Sequence, residues 1–136
     1  MLASIVSAGL AFTCTATHVW DGDGPIWCAE GPKIRLEAIA AREIDETCKQ
    51  GHPCPTASGA AARDNLVHLL GGARERSPHG HVLVGPVRLS CVSRGAGKGD
   101  RTAAHCSLPD GRDLSCEQVR AGVAIEWGKY GRACRR

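Results

Sequence analysis

The segment IRLEAIAAREIDETC, residues 34–48, contains an apolar run flanked by two side chains of opposite charge, Arg35 and Glu43. An arginine guanidinium is a planar fork that matches two oxygens of a phosphate group. A glutamate can take a proton from an attacking water molecule. The pair therefore suits the hydrolysis of a phosphate ester, although a structural ion pair in a small barrel is the alternative use of the same two residues.

Two aspartates, Asp21 and Asp23, lie in the sequence DGDG, residues 21–24. Closely spaced carboxylates can bind a divalent cation. The same four residues are also typical of a tight hairpin turn, in which aspartate and glycine are chosen for their backbone preferences. Both interpretations place the two carboxylates at the end of a strand.

The cysteine count is even and high, with eight in 136 residues. Eight cysteines allow 105 pairings, but the spacing favours some of them. One pair lies at equal distances from the turn-like segment GAGKGD, a second pair lies similarly around DGDG, a third can clip the loop KQGHP, and one pair remains. These pairs are Cys91 with Cys106, Cys14 with Cys28, Cys48 with Cys54, and Cys116 with Cys134.

A zinc site is the rival interpretation of the cysteines, because His52 and His105 lie close to them in the sequence. Zinc sites usually show CxxC pairs or a matched histidine pair, and neither is present, while reduced thiols are a third alternative. Disulfides are typical of an oxidising compartment. We therefore expect a periplasmic or secreted protein.

The length and charge of the chain fit one domain with one hydrophobic core. The net charge of +3 permits an anionic partner without requiring one. Residues 1–11 are apolar and predict a remnant or degenerate export signal, which leaves 12–136 as a single domain. No segment has transmembrane length, so we expect no membrane insertion.

Period-two alternation predicts a first strand over residues 11–20, with one face formed by Phe12, Cys14, Ala16, His18 and Trp20. Two further strands follow, and a helix starts at Thr56 or Ser58 and ends near Leu70. We expect GARERSPHG, residues 72–80, to be a loop. A strand pair comes next, and then a second helix with a capping box of Ser115 and Gln118. This order predicts an α+β fold, a small five-stranded β-barrel with two to three helices packed against it.

Five motifs in order resemble the staphylococcal nuclease (thermonuclease) family. They are VWDGDG (19–24), IRLEAIAARE (34–43), GKGDR (97–101), DGRDL (110–114) and AGVA (121–124), and the resemblance covers roughly residues 12–130. It implies an OB-type barrel and a phosphodiesterase that cuts DNA and RNA with the help of calcium. We expect such a protein to act as a monomer.

The resemblance also implies roles for residues in these motifs. Arg35 and Arg101 would bind the phosphate, and Glu43 would be the general base. Asp23 would be the main carboxylate on calcium, with Asp21 as the supporting acid.

Two further residues, Lys98 and Tyr130, are expected to contact the substrate, Tyr130 by stacking on a base. Gly99 stands where the family commonly has a base-stacking tyrosine.

The chain departs from the family pattern at Ala40, where the family has its second metal-binding aspartate. We therefore expect weak calcium binding, unless Asp45 or Glu46 supplies the missing oxygen atoms. Gly24 also replaces the usual threonine of the first motif. The alternative function is a catalytically impaired barrel that binds nucleic acid or protein.

Overall fold

The computed structural model describes residues 3–134, so the first two positions of segment 1–11 and the last two of segment 12–136 lie outside it. The strands are β1 (Ala11–Asp21), β2 (Gly24–Cys28), β3 (Lys33–Leu36), β4 (Ile39–Ala40), β5 (Ala73–Arg76), β6 (Val82–Ala96), β7 (Thr102–Ser107) and β8 (Ile125–Glu126). The helices are α1 (Gly59–Leu69) and α2 (Leu114–Arg120), and a short 3₁₀ helix covers Gly128–Tyr130.

Five strands close into a barrel in the order β1-β2-β3-β7-β6, because β6 pairs back onto β1. The β3–β7 pair is parallel and the other barrel pairs are antiparallel. Strand β5 extends the sheet at the free edge of β6, and β4 pairs separately with β8. The predicted five-stranded α+β barrel with helices against it is confirmed, and it is consistent with an OB-type barrel.

Strand β1 changes face halfway along its length. Cys14 and Ala16 are buried as predicted, but a register shift between Ala16 and His18 then turns Val19 into the core. The predicted continuation of the inner face to His18 and Trp20 is therefore wrong. A bulge inserts one unpaired residue, and with a period of two every side chain after it changes sides.

Helix α1 begins as the sequence predicts. The Ser58 side chain caps it by accepting a hydrogen bond from the Ala61 amide at 2.9 Å. Its inner face packs on the β1–β2 turn, where a Cβ on Gly22 would overlap the Cβ of Ala62. Glycine at this position lets the helix contact the turn that carries the two aspartates.

Helix α2 has a different cap from the predicted one. The Asp113 carboxylate accepts the amide hydrogen bond at the helix start. Ser115 and Gln118 are fully buried and bond to other elements: Ser115 Oγ donates to the Glu37 carbonyl at 2.8 Å, and Gln118 Nε2 donates to the Gly22 carbonyl at 2.8 Å. The capping-box prediction is wrong because both side chains satisfy backbone groups of the core.

Part of the predicted loop at residues 72–80 is strand β5, Ala73–Arg76. All four of its side chains are exposed. The strand therefore has no alternation between apolar and polar residues, which is the pattern that would reveal it in the sequence.

The cysteines form all four predicted disulfides, and no cysteine in the described part of the chain is free. The pairs are Cys14–Cys28, Cys48–Cys54, Cys91–Cys106 and Cys116–Cys134. The zinc and reduced-thiol alternatives are thus overturned for these residues. Four disulfides indicate an oxidising location outside the cytoplasm. Between residues 3 and 134, no helix is long and apolar enough to cross a membrane.

Residues 3–10 contain no helix or strand, but they are hydrogen-bonded to the barrel. The Ala3 amide donates to Asp100 Oδ2 at 2.9 Å, and the Val6 amide donates to Thr102 Oγ1 at 3.0 Å. Ser93 Oγ donates in turn to the Val6 carbonyl at 2.7 Å. The segment therefore lies along β6 and β7, and its origin as an export signal stays a prediction.

Candidate functional site

A basic cleft of about 430 Å³ lies beside strand β3 and the β6–β7 turn. Its lining includes one acidic residue, Glu37, and five cationic side chains: Arg35, Lys49, Arg94, Lys98 and Arg101. A concave surface with this excess of positive charge raises the local concentration of anions and steers a polyanion into it. We call it the basic cleft below.

The two arginines predicted to bind phosphate start from neighbouring positions in this cleft. Arg35 lies on β3, and Arg101 directly precedes β7, the strand that pairs in parallel with β3. Gly97 lies between them, because a Cβ on Gly97 would be 3.5 Å from the Cβ of Arg35 and 3.4 Å from that of Arg101. The fold thus places two arginines that are 66 residues apart in the sequence on either side of one glycine.

The two arginines differ in their partners. Arg35 Nη2 lies 3.4 Å from Asp23 Oδ2, and its Nη1 donates to the Leu36 carbonyl. Arg101 forms no ion pair or side-chain hydrogen bond with any residue from 3 to 134. Arg35 is therefore held in place by the barrel, whereas all the donors of Arg101 are available to a ligand.

Asp21 and Glu43 form a coupled pair of acids behind the cleft. Asp21 is 4% exposed, and its burial together with the nearby Glu43 carboxyl raises the pKa of Asp21 to about 8. The hydrogen bond from Asp21 lowers the pKa of Glu43, and the positive charges of Lys49 and Arg101 lower it further. At neutral pH the pair therefore holds one proton, which Asp21 carries, and Glu43 is ionised.

Glu43 is held on two sides. Lys49 Nζ lies 3.4 Å from Glu43 Oε1. The first residue of helix α1, Gly59, packs so tightly on the Glu43 carbonyl that any side chain there would overlap it. The loop that carries the glutamate is therefore fixed by direct contact with the helix.

Asp23 is engaged by the protein in a way that competes with calcium. Its Oδ2 atom accepts a hydrogen bond from the Ala41 amide at 3.2 Å and pairs with Arg35. Burial raises the pKa of Asp23, while the charge of Arg35 and the Ala41 amide oppose that rise. The neighbouring Ala40 is 1% exposed and provides no carboxylate.

The acids present do not fit a complete calcium site. Calcium takes six to eight oxygen ligands, and no group of three His, Cys, Asp or Glu side chains within residues 3–134 is arranged to hold a metal ion. Both residues expected to compensate for Ala40 have hydrogen-bond partners elsewhere. Asp45 accepts hydrogen bonds from Thr47, and Glu46 accepts the Gly59 amide at the start of α1. The calcium expectation stays a prediction.

Aromatic rings form the wall of the cleft at the C-terminal end of the chain. Trp127 lies 4.8 Å from Tyr130 in an edge-to-face arrangement and 4.5 Å from the ring of His52, measured between centroids. Tyr130 is 46% exposed, so its ring is accessible to a ligand. Burial, with the charges of Arg35 and Lys49, lowers the pKa of His52, which makes its imidazole neutral at pH 7.

Two of the disulfides hold the segments that carry these residues. Cys48–Cys54 closes the loop that contains Lys49 and His52. Cys116–Cys134 joins helix α2 to the segment that follows the 3₁₀ helix of Tyr130. By restricting these irregular segments, the bridges reduce the conformational entropy that would be lost when they are ordered.

The predicted site residues fall into two layers. Arg35, Lys98, Arg101 and Tyr130 line the basic cleft. The acids Asp21, Asp23 and Glu43 lie behind it and reach it through the ion pairs of Arg35 and Lys49. All seven residues are thus in one region, although a ligand in the cleft meets the cations first.

Sequence reasoning missed four lining residues, namely Lys49, His52, Arg94 and Trp127. A signal exists for two of them, because Lys49 and His52 lie in the loop that the Cys48–Cys54 bridge closes. Gly24 also has a structural reason: its φ is +114°, and a Cβ there would overlap the carbonyl of Ile34. The threonine usual at this position would not fit this backbone.

Compared with models of protein families, with curated proteins and with solved structures, the chain gives no match. The evidence for its function therefore consists of the geometry described above.

Proposed function

We propose that this protein is a phosphodiesterase that hydrolyses the backbone of DNA or RNA, acting as a monomer in the periplasm or after secretion. The observation that supports the proposal best is the placement of Arg35 and Arg101 on either side of Gly97, inside a cleft with three further cationic side chains. Two planar forks at neighbouring positions suit the oxygens of one phosphodiester group. The exposed ring of Tyr130 offers a stacking surface for a base.

In this proposal each arginine acts on the phosphate. Arg101 has its donors free and binds the non-bridging oxygens when the strand enters. Arg35, already oriented by Asp23, stabilises the negative charge that builds up on these oxygens in the transition state. Binding that strengthens as the charge develops is what lowers the barrier.

Glu43 is the general base of the proposed reaction. It is ionised at neutral pH, because protonated Asp21 donates a hydrogen bond to it and Lys49 lies 3.4 Å away. The carboxylate takes a proton from water while the water oxygen forms its bond to phosphorus. The bond from phosphorus to the ester oxygen breaks, and the departing oxygen takes up a proton from solvent.

A barrel that binds nucleic acid without cutting it is the second candidate. Ala40 favours it, because this buried position carries no carboxylate. The contacts of Asp23 with Arg35 and the Ala41 amide favour it too, since they occupy the oxygen that a cation would use.

Cleavage and binding measured side by side distinguish the two functions. Single-stranded DNA and RNA are incubated with the protein, once with calcium and once with chelator, and binding is followed by fluorescence anisotropy. A hydrolase cuts the strand, and its Glu43→Gln variant binds the strand with unchanged affinity but does not cut it. Tight binding without cleavage by the unmodified protein would favour the second candidate, and absence of both would contradict the two proposals together.

A further inference from the structure

A second cleft adjoins the basic cleft at Arg101, which lines both of them. It measures about 260 Å³, and its other walls include Trp20, Trp27, Lys33 and His81. We call it the aromatic cleft. It contains two of the three tryptophans of the chain, and none of the roles derived above uses it.

The tryptophans of the aromatic cleft are not part of the hydrophobic core. The core cluster and the partly buried side chains that pack against it include neither Trp20 nor Trp27. Both indole rings instead pack on the ring of His81, with centroid distances of 4.9 Å and 5.1 Å. The bulge in β1 produces this arrangement, because it turns Trp20 away from the barrel interior. Large aromatic side chains kept outside the core, in a concave surface, mark a binding site.

Trp20 is half-buried, and its ring lines the aromatic cleft. Gly80 lies beside this ring and has no side chain to cover it, since a Cβ there would be 3.4 Å from the ring. On Trp27, in contrast, Lys33 Nζ lies 4.6 Å from the ring centroid. Trp20 is therefore the ring on which a planar ligand can stack.

The charges of the aromatic cleft fit a planar base linked to a phosphate. Lys33 is paired with Asp100 at 3.1 Å, whereas Arg101 has no partner among residues 3–134 and faces both clefts. Burial and the neighbouring His18, His79 and Lys33 lower the pKa of His81, so the ring stack presents neutral aromatic surface beside one free cation.

We propose that the aromatic cleft binds one unstacked nucleobase of the strand whose adjoining phosphate is held at Arg101. The inference rests on the proposed function for the identity of the strand, and it extends that function by specifying a single-stranded substrate. In a duplex both faces of each base are covered by neighbouring bases, so only a single strand can place a base on Trp20.

The test measures binding of a fluorescein-labelled oligothymidylate by anisotropy with Glu43→Gln as the parent protein, because this variant is expected to bind the strand without cutting it. Trp20→Ala should weaken binding between about 5-fold and about 150-fold, the equivalent of ~1–3 kcal/mol of stacking on one base. Trp20→Phe, which keeps a ring, should recover most of the affinity. Far-ultraviolet circular dichroism verifies that the variants are folded.

A change in the ligand provides the same test without any change in the protein. Oligonucleotides with a single abasic position, moved stepwise along the strand, should show one register at which binding to the same parent protein weakens as much as it does when Trp20→Ala is added. The two losses should not add when they are combined, because both remove the same contact.

The possible failures are distinguishable. If Arg101→Ala weakens binding while Trp20→Ala and every abasic strand leave it unchanged, the aromatic cleft is not a base site and the proposed function stands. If losses from Trp20→Ala and from the abasic position add in full, the two sites are independent, which also overturns the inference. If the unmodified protein binds no single strand, both proposals fall.

Discussion

Replacing Arg101 with alanine separates turnover from stability more cleanly than any other change in the basic cleft. The side chain makes no ion pair or hydrogen bond within residues 3–134, so removing it breaks no direct polar contact there. We therefore expect the free energy of unfolding to change by no more than about 0.5 kcal/mol, the usual range for a surface substitution of this kind.

The effect on cleavage should be far larger. A donor directed at the charge that develops in the transition state is worth roughly 2.7–4 kcal/mol, which corresponds to a loss of about 10²–10³ in kcat. Arg101 is one of two arginines beside Gly97, and both Nη atoms of the remaining Arg35 already contact Asp23 and the Leu36 carbonyl. A large loss of turnover at unchanged stability is the expected signature.

Arg35→Ala should behave differently because Arg35 is part of the folded structure. Its guanidinium pairs with Asp23 at 3.4 Å, and the two side chains are only 18% and 15% exposed. The variant leaves a largely buried carboxylate without its charged partner, at a cost of about 1–3 kcal/mol in stability. This substitution should reduce turnover and stability together.

Arg94→Ala is the matched control, since Arg94 lines the same cleft and has no ion pair within the described residues. It should weaken binding of the strand with a reduced dependence on salt, as expected for a distant phosphate contact, and leave kcat almost unchanged. The measurements are single-turnover cleavage of a labelled oligonucleotide and urea unfolding. Equal kcat in Arg101→Ala and the unmodified protein would refute the role of Arg101, and so would an equal loss in Arg94→Ala.

Three other changes test the acids behind the cleft. Ala40→Asp should shift the calcium titration of cleavage to lower calcium concentrations, because two carboxylates attract the ion better than one. The gain should vanish when Asp23→Ala is added. An unshifted titration would show that the site does not use calcium in this way. Asp21→Asn should remove a pH dependence of the free energy of unfolding. Since the folded-state pKa of Asp21 is raised to about 8, the unmodified protein loses stability as pH rises towards 8, by at most ~1.4 kcal/mol per pH unit. If urea unfolding from pH 6 to 8 in chelator gave the same pH dependence for both proteins, this prediction would be contradicted. Gly59→Ala should lower both the melting temperature and the cleavage rate, because the new methyl group overlaps the Glu43 carbonyl. A variant with an unchanged rate would show that the position of the Glu43 backbone does not matter for the reaction.

The elements that could be predicted from the sequence are those whose signals are local. A serine before an apolar helical face identifies the start of α1, and cysteines spaced evenly about a turn face each other when the turn closes. The four disulfide pairs follow from such spacing together with elimination. Arg35 and Arg101 were also found in the sequence, but their adjacency depends on the parallel β3–β7 pair, which no local pattern reveals.

The features that the sequence did not reveal depend on long-range contacts. The bulge after Ala16 arises where β1 pairs with β2 on one side and β6 on the other, and it reverses the face of Trp20. Ser115 and Gln118 have the sequence of a capping box, yet the core uses them to satisfy backbone groups elsewhere. Trp127 joins the cleft only because the chain after α2 folds back on β4, through a 2.7 Å hydrogen bond to the Ala38 carbonyl and the β4–β8 pair.

The charges behind the cleft suggest how catalysis could operate despite the alanine at position 40. Of the three acids there, Asp21 is protonated at neutral pH, and the other two are each paired with a cation at 3.4 Å, Asp23 with Arg35 and Glu43 with Lys49. The negative charge of the acids is thus already balanced by side chains, and a divalent cation could bind only by displacing them. A fourth carboxylate at position 40 would add a negative charge that no side chain neutralises, which would favour binding of a metal ion. Its absence leaves the positive charge of the cleft directed outward, towards a phosphate, which is why the arginines rather than an ion carry the electrostatic part of the proposed reaction.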